Sequence, residues 1–145
     1  GALAANAAVR PGRLLGMRLL VVEDNKINQM VAQGLLAREG ALVTLADNGE
    51  LGVQAVASAD PPFDVVLMDL QMPVMDGYAA TSAIRHDLGL ADLPVVAMTA
   101  NAMESDRQAC LDAGMNDHVG KPFVLDQLVA VLHGLTQGRF VMPPE

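Results

Sequence analysis

Short, mainly apolar runs alternate with segments of helical periodicity along the middle of this chain. Four runs are clear and a fifth is weaker; they are Leu19–Val22, Leu42–Leu45, Val65–Met68, Val95–Met98 and the segment around Asp117–Val119. Continuous Val-rich runs of this length are typical of strands covered on both faces, as in a parallel sheet. The pattern therefore predicts five parallel strands.

The segments between these runs carry apolar residues three or four positions apart, which is the period of an amphipathic helix. One such stripe is Ile27, Met30, Val31, Gly34 and Leu35, and the cleanest is Leu125, Leu128, Val129, Leu132 and Leu135. Strands joined by helices cross over with one hand, so the pattern predicts an α/β fold, (βα)5, with a doubly wound sheet. A closed (βα)8 barrel needs far more chain.

The two ends lack this alternation. Residues 1–16 are Ala-rich, and we interpret them as a linker or tag remnant. Residues 17–136 would form one domain, and residues 137–145 a C-terminal tail. The absence of an initiator Met suggests an excised fragment or a processed chain.

Composition excludes several classes of protein. The 145 residues include 9 basic and 17 acidic side chains, for a net charge of −8, which disfavours direct binding to nucleic acid. With 52% apolar residues the chain can bury a core, and no apolar run approaches a membrane span. The single cysteine, Cys110, is consistent with a reducing cytosol.

Polar residues follow four of the five predicted strands. Glu23 and Asp24 follow the first, Asp69 the third and Lys121 the fifth, and Thr99 ends the fourth. In an open α/β sheet, ligands bind beyond the carboxyl ends of the strands, so these side chains should converge. Each has an ordinary explanation by itself, such as a helix cap for Asp69. The combination, in order and at strand ends, predicts a site.

Three carboxylates at one edge repel each other unless a cation lies among them. Oxygen ligands of this kind suit a hard divalent ion, and Mg²⁺ is the natural choice in a cytosol. An aspartate beside Mg²⁺, the Lys121 ammonium and a hydroxyl could receive a phosphoryl group.

Four motifs carry a resemblance to a known family. The segments Val21–Asn25, Met68–Gly77, Ala97–Ala100 and Lys121–Phe123 resemble the receiver domain of two-component response regulators. The residues of these segments are most similar to those in receivers of hybrid sensor histidine kinases. The match covers roughly residues 17–135. The resemblance implies a flavodoxin-like strand order, 2-1-3-4-5.

The resemblance also implies residue roles. Asp69 would be the phosphoacceptor, and Mg²⁺ would bind Asp24, Asp69, the main-chain carbonyl of Gln71 and, through water, Glu23. Thr99 and Lys121 would bind phosphoryl oxygens, and Lys121-Pro122 would be a cis peptide. His118 stands at the switch position, where the family commonly has Tyr or Phe.

Partners and location follow from the same resemblance. The phosphodonor would be a histidine kinase or a histidine phosphotransfer domain. Phosphorylation would switch the surface of helix 4, strand 5 and helix 5, through which a homodimer could form. Self-dephosphorylation would be slow. The parent protein, meaning the longer chain from which this domain would come, would be a hybrid kinase in the bacterial cytosol, tethered or not to the inner membrane. The alternative is a stand-alone regulator.

Three other functions fit this sequence less well. A haloacid-dehalogenase-type phosphatase needs a second Asp two residues after its nucleophile, where this chain has Gln71. A mononucleotide binder needs a first loop rich in Ser, Thr and Gly, whereas this loop begins with Glu23 and Asp24. A pseudo-receiver, acting only as an interaction module, would not need Asp24, Asp69, Thr99 and Lys121 together.

Overall fold

A computed structural model describes residues 12–100 and 104–136, and there five strands alternate with five helices. The strands are β1 (Arg18–Val22), β2 (Leu42–Ala46), β3 (Val65–Asp69), β4 (Val95–Thr99) and β5 (Asp117–Gly120). The helices are α1 (Lys26–Arg38), α2 (Gly49–Ser58), α3 (Gly77–Ser82), α4 (Glu104–Asp112) and α5 (Leu125–Leu135). Helix α3 continues into one π-helical turn, Ala83–Asp87, which the periodicity did not predict.

All five strands are parallel, and they lie in the order β2-β1-β3-β4-β5. The predicted (βα)5 fold and strand order are therefore confirmed. The register pairs Val22 with both Ala46 and Met68, and Thr99 with Gly120. Because the strands end in step, the residues that follow them meet at one edge of the sheet.

Side chains of each strand alternate between two hydrophobic layers. Leu19 and Val21 of β1 pack with residues of α1 and α5, such as Leu36 and Leu132. Leu20 and Val22 face the opposite layer, which contains residues of α2, α3 and α4: Val56, Ala80 and Cys110. The sheet is thus covered on both faces, which explains why its strands read as continuous apolar runs.

Helix α1 is rotated relative to the expected orientation. Ile27, Met30 and Val31 are 72%, 71% and 52% exposed, whereas Gln29, Ala32 and Leu36 are buried. The predicted apolar stripe is therefore wrong as a core face. The polar residue Gln29 is buried instead, because its amide donates to the main-chain oxygen of Glu23 and to Asp47 Oδ1.

The segment before β1 packs as part of the domain. Leu14 is fully buried in the layer of α1 and α5, and its N–H donates to the carbonyl of Glu39 at 2.8 Å. Arg13 makes a two-pronged ion pair with buried Glu39 and contacts Asp126 Oδ1 at 2.8 Å. The domain limit at Met17 thus stays a prediction, and most of the expected linker and all of the expected tail lie outside the described residues.

The Arg13–Glu39 pair predicts a stability effect. The guanidinium of Arg13 holds the pKa of Glu39 below its usual range. The pair therefore stabilises the fold at neutral pH, and this stabilisation is lost as pH falls through the lowered pKa. Arg13→Met should lower the free energy of unfolding at pH 7 by about 3 kcal/mol, because it leaves a buried carboxylate unpaired. Denaturant unfolding measures this.

The matched control is Arg107→Met, which removes an equal charge from an exposed position on α4. An equal loss in both variants would show that net charge, not the buried pair, causes the effect. The Arg13→Met penalty should shrink as pH falls through the lowered pKa of Glu39, because the carboxylate then takes up a proton and no longer needs its partner.

Candidate functional site

An open cavity of about 400 Å³ lies at the carboxyl edge of the sheet. The five polar residues that the sequence placed at strand ends all line it, as does Gln71; the five are Glu23, Asp24, Asp69, Thr99 and Lys121. The expected convergence of these side chains is therefore observed. Asn28 and Tyr78 also line the cavity and were not predicted, because both lie within helices rather than at strand ends.

The β1–α1 connection sets the two neighbouring acidic residues in different environments. The N–H of Glu23 donates to the carbonyl of Ala46 at 3.0 Å, and Asn25 caps α1 by accepting from the N–H of Asn28. Glu23 is only 2% exposed, whereas Asp24 is exposed. The tight turn between strand and helix therefore buries one carboxylate and presents the other to solvent.

Asp69 ends β3 and is 3% exposed. The start of α3 presses against it, since the N–H of Gly77 donates to the carbonyl of Leu70 at 3.1 Å. A Cβ on Gly77 would come within 2.3 Å of the Asp69 main-chain oxygen, so only glycine fits here. This close approach fixes the loop that carries Gln71 beside Asp69.

The same loop contains a strained turn. Val74 has a φ of 71°, a region that a β-branched residue rarely adopts, and the N–H of Met75 donates to the carbonyl of Pro73 at 2.8 Å. Such a conformation costs on the order of 1–3 kcal/mol and persists only when its surroundings enforce it. Here the carbonyl of Met75 accepts from the N–H of Gly49 at 3.2 Å.

Lys121 connects the two buried carboxylates. Its Nζ lies 3.1 Å from Glu23 Oε1 and 3.2 Å from Asp69 Oδ2. Its main-chain N–H donates to the carbonyl of Thr99 at 2.8 Å, and the Lys121-Pro122 peptide bond is cis, as predicted. The β5–α5 loop thus delivers one fixed positive charge between β1 and β3.

The electrostatics separate the roles of Glu23 and Asp69. Burial, followed by the neighbouring Glu23, raises the pKa of Asp69 to about 6, against the opposing effect of Lys121. Burial would also raise the pKa of Glu23, but hydrogen bonds from the Asn25 N–H, protonated Asp69 and Lys121 lower it below its usual range. As pH falls, Asp69 is therefore the first of the two carboxyl groups to take up a proton.

The acidic residues can also hold a metal ion. Carboxylate oxygens of Glu23, Asp24 and Asp69 lie within 4.8 Å of one another. An all-oxygen donor set with exposed Asp24 at its mouth fits a hard divalent cation that keeps some of its waters, as Mg²⁺ does.

Thr99 and His118 differ in their relation to the cavity. Thr99 ends β4, is 8% exposed and lines the cavity. His118 lies on β5 beside Ala97, its side chain is 26% exposed, and it is not a lining residue. Its Nδ1 is 3.8 Å from Asp117 Oδ1. The structure therefore brings Thr99, but not His118, to the other predicted site residues.

Comparison with known proteins identifies the family of this domain. The chain belongs to the response regulator receiver domain family, whose model matches residues 19–133. A two-component response regulator of rice, ORR41, is 43% identical over 118 residues, covering 80% of this chain and 91% of that protein. Probable histidine kinase 2 of rice is 36% identical over 138 residues, covering 86% of this chain. The chain spans only 13% of that kinase.

Solved structures agree with the family. The receiver domain of sensor histidine kinase PA1611 from Pseudomonas aeruginosa, solved with magnesium coordinated in its active-site cleft, is 40% identical with a TM-score of 0.76. The alignment covers 84% of this chain and 98% of the PA1611 receiver domain. The receiver domain of Saccharomyces cerevisiae Ssk1, solved with the histidine phosphotransfer protein Ypd1, is 27% identical with a TM-score of 0.79, covering 92% and 95%.

The raised pKa of Asp69 predicts a pH-dependent effect on stability. A carboxyl group whose pKa is higher in the folded state contributes stability at low pH and loses it as pH rises from about 4 to about 6. In the absence of metal, Asp69→Asn should therefore raise the free energy of unfolding at pH 7.5 by about 1–3 kcal/mol and have little effect at pH 4.

Thermal or denaturant unfolding in the presence of a chelator checks this, with Asp76→Asn as control. Asp76 lies in the same loop but caps α3 by accepting from the N–H of Ala79, a role that Asn performs equally well. A gain of stability in Asp69→Asn that is the same at both pH values would contradict the electrostatic explanation.

Proposed function

We propose that this chain accepts a phosphoryl group on Asp69 from a phosphohistidine of a partner protein, as one step of a two-component phosphorelay. The observation that carries the proposal is the placement of buried Asp69, with the Lys121 ammonium 3.2 Å away, in a cavity that also holds two more carboxylates. Family membership and the Ssk1–Ypd1 complex support the same function.

The acidic residues would hold Mg²⁺ with different parts. Asp24, Asp69 and the main-chain carbonyl of Gln71 would bind the ion directly. Glu23 would act through water, because its oxygens already accept from the Asn25 N–H, Asn28 Nδ2 and Lys121 Nζ. When bound, Mg²⁺ would neutralise charge on the transferring oxygens.

The chain's own groups would carry the transfer. An ionised oxygen of Asp69 attacks phosphorus; a P–O bond forms, and the P–N bond to the donor imidazole breaks with its electron pair returning to nitrogen. Lys121 and Thr99 would bind phosphoryl oxygens. Gln71 cannot act as a general acid where a phosphatase has its second Asp, which supports a phosphoacceptor with slow self-dephosphorylation.

The change that follows phosphorylation would appear on the surface formed by α4, β5 and α5. Thr99 and Lys121 belong to β4 and to the β5–α5 loop, so binding phosphoryl oxygens would bias the surface of α4, β5 and α5 between two states. His118 on β5 would be the switch residue, and this surface would be the one available for homodimer formation.

The parent protein would be a hybrid sensor histidine kinase working from the bacterial cytosol. Similarity to the PA1611 receiver supports this origin, and similarity to nearly the whole of ORR41 keeps a stand-alone regulator as the alternative. Among the helices of residues 12–100 and 104–136, none has the length and hydropathy to cross a membrane.

The phosphodonor would dock on the exposed apolar face of α1, which consists of Ile27, Met30 and Val31. A second cleft, of about 440 Å³, lies between Val31 and Phe123 and shares Glu23 and Lys121 with the phosphorylation cavity. A histidine phosphotransfer domain seated there would place its phosphohistidine beside Asp69 while burying apolar surface of α1.

Phosphorylation itself tests the central proposal. With Mg²⁺ and a small donor such as phosphoramidate, intact mass should rise by one phosphoryl group, because the site holds its own catalytic groups. Asp69→Asn should abolish the rise, and Asp76→Asn, in the same loop, should keep it. Undiminished phosphorylation of Asp69→Asn would refute the assignment.

The docking face is tested by comparing donors. Val31→Ser should slow transfer from a phosphorylated histidine phosphotransfer protein by about tenfold, the effect of losing one well-packed contact, and leave the rate with phosphoramidate unchanged. Leu42→Ser is the control, since Leu42 is equally exposed at 52% but begins β2 at the other end of the sheet. Equal slowing in both variants would count against docking on α1.

A further inference from the structure

Gln29 is a buried polar residue that the proposed chemistry does not use. It lies on the second turn of α1 and is 4% exposed. Its Nε2 donates to the main-chain oxygen of Glu23 at 2.5 Å and to Asp47 Oδ1 at 2.8 Å. Asp47 Oδ1 also accepts from Lys26 Nζ at 2.7 Å. Both hydrogens of one amide nitrogen are therefore committed.

The bond to Glu23 controls a particular peptide. The carbonyl of Glu23 belongs to the peptide unit that joins Glu23 to Asp24, the two acidic residues of the β1–α1 turn. The N–H of Glu23 is already fixed to the carbonyl of Ala46. With Gln29 in place, the main chain is held on both sides of Glu23, just before the exposed carboxylate of Asp24.

Removing the amide would leave the carbonyl of this peptide without its hydrogen-bond donor inside the fold. A buried carbonyl that loses its donor costs about 1–3 kcal/mol, so the turn would rotate to reach water. Rotation of that peptide displaces Asp24 relative to Asp69. A cation that demands near-ideal octahedral geometry is sensitive to such a displacement.

We propose that Gln29 is a positioning residue for the divalent-cation site, acting through the peptide between Glu23 and Asp24, with Asp47 holding its amide in place. This inference rests on the proposed binding of Mg²⁺ among Glu23, Asp24 and Asp69. Contacts behind a metal ligand set typically change metal affinity by tenfold or more when they are lost.

The test measures Mg²⁺ binding without phosphorylation. Tyr78 is the only tyrosine, the chain has no Trp, and Tyr78 lines the cavity, so titration of its fluorescence or calorimetry reports the metal dissociation constant. Gln29→Met, nearly equal in shape, should raise that constant roughly tenfold. Gln33→Met, an exposed residue of the same helix, should leave it unchanged.

Asp47 supplies an independent pair of variants. Asp47→Asn keeps an oxygen that can accept from Gln29 Nε2 while removing the charge, whereas Asp47→Ala removes both. Positioning predicts that Asp47→Ala weakens Mg²⁺ binding severalfold more than Asp47→Asn. Equal effects would mean that charge alone acts, and would overturn the proposal even if Gln29→Met fails to fold.

Amide exchange of Glu23, whose N–H donates to the carbonyl of Ala46, gives a further measurement in the metal-free protein. It should accelerate in Gln29→Met, because the turn opens. If Gln29→Met folds and its Mg²⁺ dissociation constant stays within twofold of that of the unsubstituted chain, the positioning role is overturned. If the unsubstituted chain binds no Mg²⁺, or if Asp24→Ala binds it equally well, the metal site itself is wrong. The two failures are therefore distinguishable.

Discussion

The bridge from the Lys121 ammonium to Glu23 and Asp69 is the interaction on which the site depends. It spans 98 residues of chain between Glu23 and Lys121 and brings together the ends of three strands. Without it, two nearly buried carboxylates would face each other in a region of low dielectric. With it, the negative charge of Glu23 is stabilised and the rise in the pKa of Asp69 is opposed, and the cavity keeps a fixed positive charge where a phosphoryl group would arrive.

Helix α1 divides its functions between two faces. The inner face contributes Ala32 and Leu36 to the core and Gln29 to the main chain behind the acidic cluster. The outer face leaves Ile27, Met30 and Val31 in water beside the cavity. Exposed apolar side chains have no folding role in the isolated domain, and a contiguous patch next to a reaction site is typical of a docking surface.

The cavity is also surrounded by segments that cannot easily relax. Gly77 lies against the main chain of Asp69, and Val74 is held in a left-handed turn whose neighbour, Met75, bonds to the start of α2. On the opposite side of the sheet's edge, Lys121 is tied by its main chain to Thr99. A frame of this kind fixes Asp69, the loop that follows it and Lys121 relative to one another.

The sequence by itself determined the strands, the (βα)5 order and the convergence of Glu23, Asp24, Asp69, Thr99 and Lys121, because parallel strands place their following residues at one edge. It did not determine which face of α1 is buried, because the spacing of apolar residues carries no information about the hydrogen-bond acceptors that the Gln29 amide meets in the fold. It also gave no sign that Leu14 and Arg13 pack into the domain, because their partner Glu39 lies 26 residues from Arg13. Burial of polar groups depends on partners distant in sequence, and only the tertiary structure decides where these lie.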